Sequence, residues 1–226
     1  VFRKYEKTFR IEVPNISIQG KKTLSEEEAE QLLSGFVYIE EKLDGANTAI
    51  FRDTDISFVL QKRGSVIGTG EPHPQFHFFL NWANERYLDL LKVPKGFYVY
   101  GELMYAVHQI YYDSLPDYFL VFDIFDGDEW LDRDTRDVFC REYRFEQVPL
   151  LALGTFKVNE LYRLIPNQSV FGSEPAEGIV IKKYNKDGYL RAKLVRPEFT
   201  TNLDENDEHW TRKRLRTNKV VEYERR

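Results

Sequence analysis

The run Glu41-Lys42-Leu43-Asp44-Gly45-Ala46-Asn47 constrains this chain more than any other segment. Phe36-Val37-Tyr38-Ile39 before it is rich in β-formers, Asn47–Arg52 after it is again strand-like, and the Asp44-Gly45 dipeptide favours a tight reversal between them. A lysine held between a strand end and such a turn stands at the mouth of a sheet. Its amine can meet a ligand there as a nucleophile, provided something lowers its pKa or removes its proton. Taken alone, the segment reads more simply as a hairpin turn beside a solvated lysine. Four later segments, in a fixed order, change that reading.

The rest of the pattern is one of short strands and helices. Ser25 can cap a helix over Leu24–Leu33, Glu28 completes a capping box, and Gly35 follows as a stop. Phe36–Glu41 and Asn47–Arg52 read as strands joined by the Asp44-Gly45 turn, with a third at Ser57–Lys62. From Gln75 to Leu91, Phe76, Phe79, Leu80, Tyr87, Leu88 and Leu91 recur at helical spacing, the signature of a core-packing helix. Phe97–Met104 and Tyr118–Phe125 read as buried strands, Asp134–Glu146 as a helix, Leu150–Lys157 as a strand and Asn159–Leu164 as a short helix. Gly178–Lys182 and Tyr189–Val195 form a last hairpin across Lys186-Asp187-Gly188, and Glu205–Arg216 is a candidate terminal helix. This interspersion predicts an α+β fold on mainly antiparallel sheets flanked by helices. The expected organisation is one domain over residues 1–197, with a short basic tail over 198–226, helical and packed on the same domain.

With 42% hydrophobic and 15% aromatic residues, the 226-residue chain can bury a substantial core and is not a disordered linker. No stretch approaches the roughly 18 unbroken apolar residues of a membrane span. The segment Val1-Phe2-Arg3-Lys4-Tyr5-Glu6-Lys7 is too charged for a signal peptide. A single cysteine, Cys140, excludes an internal disulfide framework and a cysteine-based zinc site, which fits a cytoplasmic location; it reads as a packing residue. His73, His77 and His108 lack a metal-ligand pattern and read as surface or packing residues. The net charge of −5 argues against bulk adhesion to nucleic acid but leaves room for a local basic groove. Basic residues gather late, at Lys182, Lys183, Lys186, Arg191, Lys193 and Arg196, then at Arg212, Lys213, Arg214, Arg216 and Lys219. A solvated face explains such a run as readily as a binding surface does.

Five further features go beyond what strands require. Gln61-Lys62-Arg63-Gly64 closes a strand with a basic pair. Tyr100-Gly101-Glu102-Leu103-Met104 places a carboxylate in an apolar strand, where burial demands a cationic, metal or hydroxyl partner. Phe119–Phe125 does the same with Asp123. Glu177-Gly178-Ile179-Val180-Ile181-Lys182 has an acid at one end of a strand and a lysine at the other. In Leu190-Arg191-Ala192-Lys193-Leu194, alternation points Arg191 and Lys193 to one face. Each has a plain structural explanation by itself. Jointly, a nucleophilic lysine, acids, and cations able to converge on a phosphate chain form a coherent nucleotidyl-transfer set.

In this order, K-x-D-G, G-E-L, F-D-I, E-G-I-V-I-K and the closing Arg191-Ala192-Lys193 resemble the covalent nucleotidyltransferase superfamily of polynucleotide ligases and mRNA capping enzymes. The Asp44-Gly45-Ala46-Asn47 ending, Gly101-Glu102-Leu103 and Phe122-Asp123-Ile124 are most similar to the RNA ligase 2 type, ATP-dependent enzymes that seal RNA. The resemblance spans about residues 36–197 and implies a nucleotidyltransferase domain, an ATP-grasp-like ligase adenylation core. By motif position it implies that Lys42 takes AMP from ATP as a phosphoramidate. Glu41 and Asn47 would line the adenosine and reacting phosphate, and Arg63 would contact ribose or the 5′-phosphate end. Glu102 would hold ribose or a metal-bound water, and Phe122 would stack on adenine. Glu177 would bind the metal shell or orient Lys42, while Lys182 and Lys193 bind the α-phosphate.

Two departures from the family pattern stand out. Arg191 occupies a position where the family has lysine; arginine keeps the charge but not the compact approach to one oxygen. Only about thirty residues follow Pro197, where family members carry a separate C-terminal domain. The implied cofactors are ATP and Mg²⁺, with Mn²⁺ as the alternative ion. The metal has a chemical rationale too: an attacking lysine must be deprotonated, phosphate-binding cations and Mg²⁺ favour the neutral amine, and Glu102 or Glu177 alone would oppose it. The implied partners are RNA ends or a nicked RNA duplex, and no membrane. Three other readings remain: an ATP-dependent DNA ligase module, a GTP-using guanylyltransferase, and an inactive nucleotide- or RNA-binding module.

Overall fold

A computed structural model of the chain describes residues 2–14, 22–185, 188–201 and 215–221. In chain order the elements are β1 (Phe9–Arg10), α1 (Glu26–Leu33), β2 (Val37–Lys42), β3 (Ala46–Thr54), β4 (Ser57–Lys62), β5 (Ser65–Val66), α2 (Pro74–Glu85), α3 (Tyr87–Leu90), β6 (Tyr98–Leu103), β7 (Phe119–Phe125), α4 (Arg133–Tyr143), β8 (Glu146–Gln147), β9 (Leu150–Gly154), a 3-10 helix (Val158–Leu164), β10 (Gly178–Asn185), β11 (Gly188–Val195) and α5 (Glu198–Thr201). They fall into two compact units, each with its own sheet. The fold is α+β, and the sheets are antiparallel except for the edge pairs β1/β11 and β7/β8.

The first unit comprises residues 6–14, 22–43, 148–185 and 188–201. Its sheet runs β1-β11-β10-β2-β9. One sheet face supplies Val37, Ile39, Ile179, Ile181, Ala192 and Leu194 to a core closed by Ala29 and Leu32 of α1 and by Leu161 and Ile165. Strand alternation therefore turns Tyr38, Glu40, Lys42, Lys182, Arg191 and Lys193 to the other face. The capping box on α1 is present: Ser25 Oγ accepts from the Glu28 amide at 3.2 Å, and Glu28 Oε2 accepts from the Ser25 amide at 2.8 Å. At its other end the Lys183 ammonium donates to the Gln31 and Ser34 carbonyls at 2.8 and 2.7 Å, satisfying acceptors the last turn leaves open. Arg196 is likewise structural, donating to the Ala176 and Pro166 carbonyls. Two members of the late basic run are thus used inside the fold.

The second unit comprises residues 2–5, 44–147 and 215–221, on the sheet β5-β4-β3-β6-β7-β8. Helices α2 and α4 pack Phe76, Phe79, Trp82, Phe139 and Cys140 against one face, where Ile50, Leu60, Val99 and Val121 meet them. Burial pushes the Cys140 thiol up to about 12, as befits an inert packing residue. The opposite face is aromatic, with Tyr98, Tyr100 and Phe125 joined by Tyr5 and Trp130.

Several elements differ from the sequence reading. The helix expected over 75–91 starts under a His73 cap and breaks at Arg86, where Asp117 binds both the Trp82 indole N–H at 2.8 Å and the Arg86 guanidinium at 3.0 Å. The strands flanking Asp44-Gly45 do not form a hairpin, because β2 and β3 belong to different sheets. The strand from Leu150 stops at Gly154. Lys186-Asp187 and residues 202–214, including Lys213 and Arg214, lie outside the described residues. Leu215 and Arg216 are not helical. Instead Thr217 and Val220 bridge to Ala106 and Leu115. Among the described residues, no helix is long and apolar enough to cross a membrane.

Candidate active site

In the five-stranded unit, Lys42 ends β2 and Glu177 immediately precedes β10, so the antiparallel register that pairs Lys42 with Gly178 brings the two side chains together. Lys42 Nζ lies 2.5 Å from Glu177 Oε2, both side chains being mostly shielded. Gly178 is required by close approach: a Cβ there would lie 2.1 Å from the Leu194 carbonyl oxygen and 2.9 Å from Val195 Cα. A side chain at 178 would push β11 away from the strand that Lys42 pairs with.

The same face holds more charge. Lys182 Nζ is 2.7 Å from Glu40 Oε2, and each residue is only 1% exposed. Arg191 reaches Glu6 at 3.3 Å and lies 5.0 Å from the Tyr189 ring centroid. Lys193 is half-buried and in register with Arg10. This sheet therefore gathers Lys42, Lys182, Arg191 and Lys193, with Glu177 beside Lys42. It does not bring Glu41 to them. Glu41 shares the core face with Ile39, and its Oε2 accepts from the Val170 amide at 2.9 Å. Burial raises the Glu41 pKa above its ordinary value, opposed by hydrogen bonds from Ser169 and Val170.

Glu40 escaped the sequence reading, although alternation back from Lys42 was signal enough to place it on the nucleophile's face. The paired acid makes Lys182 a member of an internal ion pair.

The six-stranded unit carries the other sequence-derived positions. Asn47 and Glu102 are register partners on β3 and β6, and Glu102 is half-buried, so it escapes the full desolvation expected for it. Asp123 is the acid that is buried, at 1% exposure; it accepts from the Tyr5 hydroxyl and faces the Arg136 guanidinium at 3.6 Å. Neither partner was evident from sequence, since they come from an N-terminal segment and a helix face. Phe122 is the extra residue of a bulge, because β6 pairs Tyr100 with Asp123 and Gly101 with Val121. A bulge re-aims a side chain, and Phe122 is half-buried with its ring 5.1 Å from that of Tyr5. Arg63 is exposed, while its neighbour Lys62 pairs with Glu71 at 2.7 Å. Asp44 is a loop anchor: its Oδ2 accepts from the Gln109 and Ile110 amides at 2.7 and 3.1 Å. At Gly45 a Cβ would lie 2.7 Å from the Leu103 carbonyl oxygen, which explains the glycine after it. No cluster of three or more His, Cys, Asp or Glu residues able to hold a metal exists among the described residues.

This arrangement has the fold of RNA ligase nucleotidyltransferase structures. The chain is similar to a ligand-free variant of Naegleria gruberi RNA ligase at 16% identity and a TM-score of 0.61, covering 78% of this chain and 53% of that one. A variant of the same enzyme with ATP and manganese gives 17% identity and a TM-score of 0.63, covering 89% and 58%. The enzyme with pyrophosphate gives 17% and 0.62, covering 89% and 63%. The chain thus spans less than two thirds of the length of these structures. No curated protein sequence matches it. The RNA ligase family model matches residues 35–195, and the chain belongs to that family.

Proposed function

We propose that this chain carries the nucleotidyltransferase activity of an ATP-dependent RNA ligase, with Lys42 as nucleophile. The observation that carries the reading is the 2.5 Å contact between Lys42 Nζ and Glu177 Oε2 on a cation-bearing sheet face. Lys42 attacks the α-phosphorus of ATP once its proton has passed to Glu177; the N–P bond forms as the bond to the β-phosphate oxygen breaks and pyrophosphate leaves. Lys193, with Arg191 and Lys182, binds the α-phosphate; Lys182 does so by sharing its charge between Glu40 and the phosphate. An RNA 5′-phosphate oxygen then attacks the same phosphorus, freeing Lys42 and giving a 5′-5′ linkage. Finally a 3′-hydroxyl attacks the 5′-phosphate, forming the phosphodiester and releasing AMP.

The assignments of Asn47 and Glu41 to adenosine, Arg63 to ribose or the 5′-phosphate end, Glu102 to ribose and Phe122 to adenine rest on the family resemblance. Among the described residues no cluster of acids or histidines could hold a metal by itself, so a divalent ion would come with the nucleotide's phosphates. Glu177, beside Lys42, would bind its water shell, and the assignment of Glu102 to that shell rests on the family resemblance alone. Mg²⁺, or Mn²⁺ in its place, would neutralise charge on the phosphates and the leaving pyrophosphate.

The test is incubation with radiolabelled ATP, GTP or dATP, followed by denaturing electrophoresis. Covalent label is expected from ATP on the unaltered protein and none on Lys42→Ala, whose melting temperature should stay close to that of the parent. Preferential labelling by GTP would instead indicate a guanylyltransferase, and no labelling an inactive binding module. Matched RNA and DNA nicks then decide the polynucleotide: equal sealing of both would favour a DNA ligase.

A further inference from the structure

We infer that Arg10 is a phosphate-binding residue for the β,γ end of the nucleoside triphosphate, beyond the α-phosphate set of Lys42, Lys182, Arg191 and Lys193. The inference rests on the nucleotidyl-transfer reading above. Arg10 ends β1, a two-residue strand added in parallel to β11, and its register partner is Lys193. Since Ala192 and Leu194 face the core, Lys193 and Arg10 share the face that carries Lys42. The backbone at Arg10 is locked from both sides. Its amide donates to the Lys22 carbonyl at 3.1 Å and its carbonyl accepts from the Leu24 amide at 2.8 Å, so the side chain starts from a fixed position.

What marks Arg10 out is its Nη1. That atom is buried and has no hydrogen-bond partner among the described residues. A guanidinium is an obligate fork of donors that keeps its charge, so a shielded N–H with nothing to bind is an unfavourable arrangement that an anion would relieve. Burial lowers the Arg10 pKa, and the charge of Glu177, the acid that holds Lys42, opposes that lowering. The guanidinium is thus within electrostatic reach of the nucleophile's own partner. Arg10, Glu12, Thr23, Lys193 and Val195 line a small cleft at this point, so the acid Glu12 stands in it beside the two cations.

The strand order assigns the phosphate. β1 is separated from β2 by β11 and β10, three strand spacings or about 14 Å across the sheet. Lys42 approaches from the β2 side and must touch the α-phosphorus. With the α-phosphorus held at Lys42 on the β2 side, a long side chain from β1 would reach the part of a triphosphate that extends across the sheet past Lys193. Lys193, on the strand next to β1, stands between them.

The experiment measures equilibrium binding of ATP, pyrophosphate and AMP in a Lys42→Ala background, where no turnover occurs, with and without Arg10→Gln. Loss of a charge-assisted contact should weaken ATP and pyrophosphate about tenfold. AMP, which lacks the β,γ end, should change less than twofold. Arg10→Lys is measured alongside and read in the same way should Arg10→Gln not fold; it keeps the charge without the fork and should recover part of the ATP affinity. Unchanged ATP affinity, or equal weakening of AMP and ATP, would overturn the assignment of Arg10 alone. Failure of the Arg10-intact protein to bind either nucleotide would instead overturn the nucleotidyl-transfer reading, and Arg10 with it.

Discussion

Lys182 and Glu40 form an ion pair at 2.7 Å with both residues 99% shielded from water, on the same sheet face as Lys42. Removing one partner of such a pair leaves a charge in a medium that cannot solvate it. Glu40→Ala should therefore lower stability by about 3–5 kcal/mol, whereas Glu40→Ala combined with Lys182→Met should recover most of the loss. Denaturant titration of the two single variants and the double variant measures the coupling. Additive losses would mean that the pair contributes nothing to the fold.

Lys42 Nζ donates to Glu177 Oε2 at 2.5 Å, and under the proposed mechanism glutamine at 177 would keep the shape but could not take the proton. Glu177→Gln should slow single-turnover adenylylation by about 10²- to 10⁴-fold, the usual worth of a positioned general base. A rate within a few-fold of the parent would restrict Glu177 to orienting the amine.

Phe122 sits on a bulge, half-buried, against the edge of Tyr5. If it stacks on a base, Phe122→Ala should weaken ATP binding by about 1–3 kcal/mol, with a smaller effect for Phe122→Leu. Calorimetry gives the affinity and a thermal melt the stability. Lost stability with normal affinity would make Phe122 a packing residue of the aromatic face.

Glu41 has a pKa raised by burial, so between the ordinary carboxylate range near 4.5 and its higher folded value the native state holds more protons than the unfolded one. The stability it contributes is present below that window and falls as pH rises through it. Glu41→Gln keeps an oxygen for the Val170 amide and carries no charge to desolvate. The variant should melt higher than the parent at pH 7, and the gap should close below pH 4.5. A gap independent of pH would place the effect elsewhere.

Asn218 is buried, accepting from the Tyr112 amide at 2.9 Å and donating to the Met104 carbonyl at 2.7 Å. The chain around it is therefore part of the six-stranded unit and not a dispensable basic tail. Asn218→Ala should destabilise by about 1–3 kcal/mol through the buried groups it leaves unpaired. Truncation from residue 202 onward should cost at least as much, before any effect on RNA. An unchanged melt after truncation would contradict this packing.

Local chemistry was legible in the sequence. The Ser25 capping box, the hairpin strands from Gly178 to Val195, the common face of Arg191 and Lys193, and Lys42 at a strand end all follow from interactions a few residues long: alternation, capping geometry and turn preference. The order of acidic and basic motifs was enough to indicate the family. Tertiary structure alone decided that β2 and β3 enter different sheets, that Lys42 meets Glu177 while Lys182 is taken by Glu40, that Asp123 is the deeply buried acid, and that Arg10 stands beside Lys193. Each of these depends on sheet membership and register between segments far apart in the chain, as with the 135 residues separating Lys42 from Glu177. Periodicity says which face of a strand a charge occupies. Only the packed sheet determines which opposite charge is within reach of it.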